Sequence, residues 1–254
     1  MSKQNIYDNP DFFDGYARLR DNPENANILI EKPALFSLLP ALDGKKILDL
    51  GCGYGENCIS FSKMGANKVV GIDISEKMLN AAKKNNYSKD IKYLQMPMED
   101  ISRLNEKFDV VVSSLAVHYI ADFNILIQNI YNILYDDGVL IFSQEHPLTT
   151  APIAGAKWIR DDNGNIDHYY LVDYSRSGQR NVNWLVNDVI KYHRTFSEIM
   201  NSLISNGFTI QNVLEPLPTE DIVQKNKRYM NDFHKPDFLL IKAKKGLKSG
   251  GWME

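Results

Sequence analysis

Apolar residues in the first part of the chain come in short runs, separated by stretches with apolar residues at helical spacing. Five runs read as strands, at 46–50, 68–72, 91–95, 108–113 and 138–143. The second, fourth and fifth are short and mostly apolar, as strands buried on both faces of a parallel sheet must be. Between them, Glu76–Lys84 and Phe123–Leu134 carry helical periodicity. Ser75 is a plausible N-cap for the first of these helices, and Asp137-Gly138 reads as a turn closing the second. Alternation of this kind predicts right-handed crossovers and a doubly wound α/β sheet.

The flanks differ. Residues 1–45 form a polar, aromatic-rich lead-in, with a helix start at Asn22-Pro23-Glu24 and an apolar helix near Pro33–Leu42. Residues 147–192 break the alternation. They are rich in Asp, Asn, Gly and aromatics, and Asp162-Asn163-Gly164 reads as a hairpin turn, so short antiparallel pieces are expected. Thr195-Phe196-Ser197-Glu198 is a capping-box sequence opening a helix that ends near Asn206-Gly207. Two strands follow, Phe208–Glu215 and Asp237–Ala243, joined by the loop Pro216–Pro236.

Candidate chemistry starts where the first strand ends. Ile47-Leu48-Asp49-Leu50 runs into Gly51-Cys52-Gly53-Tyr54-Gly55, and the second strand ends at Asp73, 20 residues after Gly53. Glycines at a strand mouth let backbone approach a ligand at positive φ, and a carboxylate at that distance is placed for a ribose diol. The pattern marks a nucleoside site. Glu56 holds the place of the third glycine of a dinucleotide fingerprint, and neither a Gly-Lys-Ser/Thr ending nor a basic residue in the loop awaits a phosphate.

The acid followed by G-x-G-x-G resembles motif I of the class I S-adenosylmethionine-dependent methyltransferases. The resemblance continues in order through Gly71-Ile72-Asp73-Ile74-Ser75, Phe108–Leu115 and Leu134–Phe142, covering roughly residues 33–145. It implies a Rossmann-like seven-stranded sheet, mostly parallel with an antiparallel last strand and helices on both faces. It also implies a helical lead-in at 1–45 covering the cofactor site and a methyltransferase domain at 46–254. The insertion at 147–192 would form part of the substrate pocket.

By the same resemblance, S-adenosyl-L-methionine is the methyl donor and S-adenosyl-L-homocysteine the product. Gly51, Cys52, Gly53 and Gly55 would pass under the methionine part and ribose. Asp49 would bind the amino group, directly or through water, and Asp73 the ribose hydroxyls. Ile74 would pack on the adenine face, and Met78 is grouped with it. An Asp that many relatives use for the adenine amino group is replaced by Pro97 here, so Met98 and Glu99 are the expected adenine contacts. Ser114 and Leu115 would line the methionine side through their carbonyls. Arg20, with Tyr16, would pair with the cofactor carboxylate, because an unpaired buried charge is costly. A surface arginine and a core tyrosine are the alternative reading of that pair.

His118 and His146 follow the fourth and fifth strands, whose ends face the crevice of an open sheet. Either could be a general base, or simply a structural hydrogen-bonding residue. His193 could join them, with Tyr169, Tyr170, Trp158 and Trp184 as an apolar lid or as ordinary packing.

Composition narrows the reading further. Of 254 residues, 44% are hydrophobic and 24% charged, and the net charge is −3, which leaves no basic footprint for nucleic acid. The lysine cluster in 242–248 reads as a solvated chain end. Cys52 and Cys58, six residues apart, are expected not to face each other and to be small buried residues, with no metal site. No signal-like or membrane-spanning stretch is visible, so a cytoplasmic monomer or homodimer is expected. The expected partner is a small-molecule methyl acceptor, with neither nucleic acid nor membrane. The other readings are a methyltransferase of protein substrates, or a non-catalytic domain that senses the cofactor.

Overall fold

Alternate residues of the central strands point to opposite sides, and both sides are apolar, so the sheet needs a helical layer on each. A computed structural model describes residues 4–154 and 157–246. In chain order its elements are α1 (Pro10–Arg20), α2 (Lys32–Ser37), β1 (Lys46–Leu50), α3 (Glu56–Lys63), β2 (Lys68–Asp73), α4 (Glu76–Asn85), β3 (Ile91–Gln95), β4 (Phe108–Ser113), α5 (Phe123–Ile133), β5 (Leu134–Glu145) and α6 (Pro147–Thr150). They continue with β6 (Lys157–Arg160), β7 (Ile166–Tyr170), β8 (Gly178–Trp184), β9 (Val186–His193), α7 (Phe196–Ser205), β10 (Phe208–Leu214), α8 (Glu220–Lys225) and β11 (Phe238–Lys245).

The main sheet has seven strands in the order β10-β11-β5-β4-β1-β2-β3. β11 pairs antiparallel with both neighbours, while β1 to β5 are mutually parallel. Leu48, Leu50, Val70, Ile72 and Val111 face a core shared with α5 and α7. Ile47, Val69, Val110 and Val112 face the other core, with α2, α3 and Leu79 of α4. This is the expected doubly wound, Rossmann-like sheet with helices on both faces.

The order of the sheet reverses beside β1, where β1 leads by way of α3 to β2 on one side and pairs with β4 on the other. The ends of β1, β2 and β4 therefore surround one crevice. The lead-in closes it from the α4 side: the Asp8 carboxylate accepts from the Ser75 hydroxyl at 2.6 Å and from Lys77 N at 3.1 Å. That adds an acid at the α4 N-terminus, where Ser75 itself caps Met78 N.

Several local expectations need correction. Asn22-Pro23-Glu24 forms a turn in which Asn22 accepts from Glu24 N at 2.9 Å. The helical segment that follows is capped at Asn25, whose side chain accepts from Ile28 N. The helix that the family resemblance implies for the lead-in is α1, which Asn9 caps and Pro10 opens. Asp137-Gly138 lies within β5, near its register shift against β4, and not beyond a helix end. Lys245 is buried and donates to the Leu134 carbonyl at 2.9 Å, so it is no solvated tail, while Lys248 lies outside the described residues.

Cys52 and Cys58 are buried as expected, but contrary to expectation they face each other. A Cβ on Gly71 would stand 2.8 Å from the Cys58 sulfur and 3.0 Å from that of Cys52. The two thiols meet over this β2 glycine because the loop turns back across the strand. Helical spacing alone could not show that.

Gly71 therefore has no space for a methyl group. Gly71→Ala should lower the unfolding free energy by about 1–3 kcal/mol in urea titration, as overpacking does. A shift within experimental error would mean that the thiols can move aside freely.

Candidate active site

One cavity of about 450 Å³ opens at the ends of β1, β2 and β4, beneath α1 and the β8–β9 hairpin. Its floor is the β1–α3 loop. Gly51, Gly53 and Gly55 have φ of 69°, 51° and 75°, a left-handed conformation that a side chain would oppose. A Cβ on Gly51 would lie 2.6 Å from that of Ala116, whereas nothing stands within 4 Å of the same point on Gly53. The loop thus packs tightly at Gly51 and is open at Gly53. Gly55 does not line the cavity. It opens α3 and packs against the Tyr93 ring.

Asp73 joins the pieces. Its two oxygens accept from Gly53 N at 2.8 Å and Ser75 N at 2.9 Å, fixing loop and helix start to the tip of β2. It lines the cavity but is nearly buried, and that burial raises its pKa. Asp49, within β1, does not reach the cavity wall. It accepts from the Cys58 thiol at 3.3 Å, and burial raises its pKa to about 7.

Cys52, Ile74, Met78, Met98, Glu99, Ser114 and Leu115 all line the cavity. Leu115 has a φ of 50°, unusual for a residue with a branched side chain. Its amide donates to the Ser143 hydroxyl at 2.9 Å, and that hydroxyl is in turn held by Glu31 at 2.5 Å. Glu31 is wholly buried, also accepts from the Ser114 hydroxyl and the Asn27 side chain, and has its pKa raised by burial. Sequence reasoning missed it, because a single acid inside an apolar helical stretch carries no motif.

Tyr16 and Arg20 also reach the cavity, on the inner face of α1. Arg20 is no free counter-ion: it donates to the Glu56 carboxylate and the Asn27 side chain. Among the described residues, its Nε and the Tyr54 hydroxyl are buried without a hydrogen-bond partner. A buried donor left unpaired costs about 1–3 kcal/mol, so both point to groups that a ligand supplies.

The histidines separate. His118 lines the cavity; its Nδ1 accepts from Glu145 N at 3.5 Å, and burial pulls its pKa down to about 4. His146 lies off the cavity wall. Its Nε2 pairs with Glu215 at 2.8 Å and its Nδ1 accepts from Leu148 N, so it caps α6. His193 is buried between the Thr150 hydroxyl and the Tyr174 carbonyl. Trp184 alone of the expected lid residues reaches the site, edge-on to Phe12 and Tyr16. Trp158 and Tyr169 instead pack on Lys235.

The sequence model of a methyltransferase domain family matches residues 41–235. An uncharacterized protein of Haemophilus influenzae is 42% identical over 250 residues, which is 96% of this chain and 98% of that one. The solved structure of an S-adenosylmethionine-dependent methyltransferase from Mesorhizobium loti superposes with a TM-score of 0.77 at 35% identity, covering 87% of this chain and 98% of that one. A Listeria monocytogenes protein proposed to be such an enzyme gives 0.80 at 39% identity, covering 85% and 97%. The chain belongs to this methyltransferase domain family and is an S-adenosylmethionine-dependent methyltransferase. No helix among the described residues is long and apolar enough to cross a membrane.

His118 yields a pH prediction. Its folded pKa lies below the ordinary value of about 6.5, so its contribution to stability is complete above that pH. The contribution falls away as pH drops toward about 4. The urea midpoint should decline across that window, and His118→Asn should flatten part of the decline. An identical acid limb in the variant would contradict the assignment.

Proposed function

We propose that the enzyme transfers the methyl group to a small-molecule acceptor held at the end of the cavity formed by His118, Tyr119 and Glu145. The observation that carries this reading is burial: His118 is 3% exposed, and Lys191 behind Glu145 is 6% exposed. An acceptor group must enter the cavity to meet them. Neither a strongly basic face nor a nucleic-acid footprint competes, given a net charge of −3.

The cavity suits the methyl donor. The open space over Gly53 admits backbone contact, and the partnerless Arg20 Nε and Tyr54 hydroxyl match polar groups of an amino-acid tail. In this reading Asp73 accepts the ribose hydroxyls, with Ile74, Met78, Met98 and Glu99 around the base. Gly51, Cys52, Ser114 and Leu115 surround the methionine part, and Tyr16 and Arg20 cover its carboxylate. Asp49 acts through the loop that it supports.

Bound there, the donor supplies a methyl group on a positively charged sulfur, open to in-line attack. What the chain contributes is placement and exclusion of water. α1 and Trp184 roof the space, the loop under Leu115 fixes one wall, and His118 offers a neutral imidazole to the acceptor side. Its low pKa makes it a hydrogen-bonding group near neutrality and not the expected base.

Two measurements test this. In calorimetric titration with S-adenosylhomocysteine, Asp73→Ala should lose at least about 100-fold in affinity, the scale of two lost hydrogen bonds to a charged group. His146→Ala should bind normally. Near-normal binding by Asp73→Ala would place the ribose elsewhere. In cell extract with methyl-labelled donor, label should enter the low-molecular-mass fraction; label confined to protein would overturn the small-molecule reading.

A further inference from the structure

The acceptor end has a definite electrical polarity. Glu145 Oε1 pairs with Lys191 Nζ at 2.5 Å, but only Glu145 lines the cavity. The ion pair therefore turns its negative end inward. Among the described residues, the second oxygen of Glu145 has no hydrogen-bond partner. The rings of Tyr7, Tyr119 and Trp184 also stand on the cavity wall. These rings already accommodate a cation from behind: the Lys191 ammonium sits 4.8 Å from the Trp184 ring centre and 6.0 Å from that of Tyr119.

Proton-accepting power is missing from the same place. His118 lines the cavity, and its Nδ1 accepts the Glu145 amide N–H at 3.5 Å, which leaves the ring proton to Nε2. Burial weakens it further as a base, and Lys191 holds Glu145 below the usual carboxylate range. An alcohol, too weak an acid to shed its proton to solvent, finds no base here, and a thiolate would meet the Glu145 carboxylate. A carboxylate or phenolate would approach the free oxygen of Glu145.

We propose that the acceptor is a primary or secondary amine reacting as the free base, its N–H on the unpaired Glu145 oxygen and its apolar body against Tyr7, Tyr119 and Trp184. This rests on the small-molecule reading above. The nitrogen lone pair forms the new N–C bond as the S–C bond breaks and its electrons stay on sulfur. Positive charge thus passes from sulfur to nitrogen, beside a carboxylate and between aromatic faces that favour it. The acceptor sheds its ammonium proton to solvent before it seats, and the ammonium formed by transfer keeps its N–H until release, so neither step requires a protein base.

The test uses three probes of similar size on protein saturated with S-adenosylhomocysteine: N-methylbenzylammonium, neutral propylbenzene and anionic phenylacetate. The ammonium, which carries the charge that nitrogen gains in the transfer, should bind at least about tenfold tighter than either of the others, the scale of a charge-assisted hydrogen bond with cation–π support. Glu145→Gln should erase most of that preference. Equal binding of all three, a preference for phenylacetate, or no detectable ammonium binding overturns the inference. The comparison within the wild-type protein decides even if the variant fails to fold. Failure to bind S-adenosylhomocysteine at all would instead defeat the earlier reading of the site.

Discussion

One carboxylate holds the site together. Asp73 stands at the tip of β2 and accepts amide hydrogens from the β1–α3 loop and from the start of α4. Three elements that the sheet only brings near each other become one wall through it. The loop can accept this geometry because Gly51, Gly53 and Gly55 tolerate positive φ. The arrangement explains why acid and glycines occur together: without the acid the open loop would have no fixed shape, and with side chains on the loop it could not reach the acid.

A second connection runs along the opposite wall. Glu56, Arg20, Asn27 and Glu31 are joined in sequence by hydrogen bonds, and Glu31 continues through Ser143 to the amide of Leu115. The chain of contacts couples α1 to the ends of β4 and β5. A fully buried carboxylate needs such partners to remain in place, and the strained Leu115 needs a fixed acceptor for its amide. Each condition is met by the other. Substituting any member disturbs both the roof and the wall of the proposed methionine pocket.

How much of this was legible in the sequence follows from the range of the forces involved. Short apolar runs and strand-end glycines are local signals, so β1 to β4 and the glycine loop could be read almost to the residue. The capping box at Thr195 is equally local and is present. Glu31, Lys191 and the meeting of Cys52 with Cys58 depend on tertiary approach and left no local trace. His146 shows the opposite failure. Its position after β5 suggested the crevice, but the chain turns at Pro147 and commits both ring nitrogens to Leu148 and Glu215.

The acceptor end is where local reading had least to offer, for a structural reason. Its roof is an interface between two segments more than a hundred residues apart in sequence: Phe12 and Tyr16 of α1 meet Trp184 at ring separations of 5.3 and 6.1 Å. Gly15 lets the Leu185 side chain approach to within 3.4 Å of where its own Cβ would stand. β9 then carries Lys191 from this hairpin to Glu145 on the main sheet. Closure over the proposed cofactor pocket and polarity toward the proposed acceptor are thus set by the same hairpin. A change in the insertion that altered the acceptor preference would also alter how α1 closes, so the two properties are expected to vary together among proteins that share this sheet.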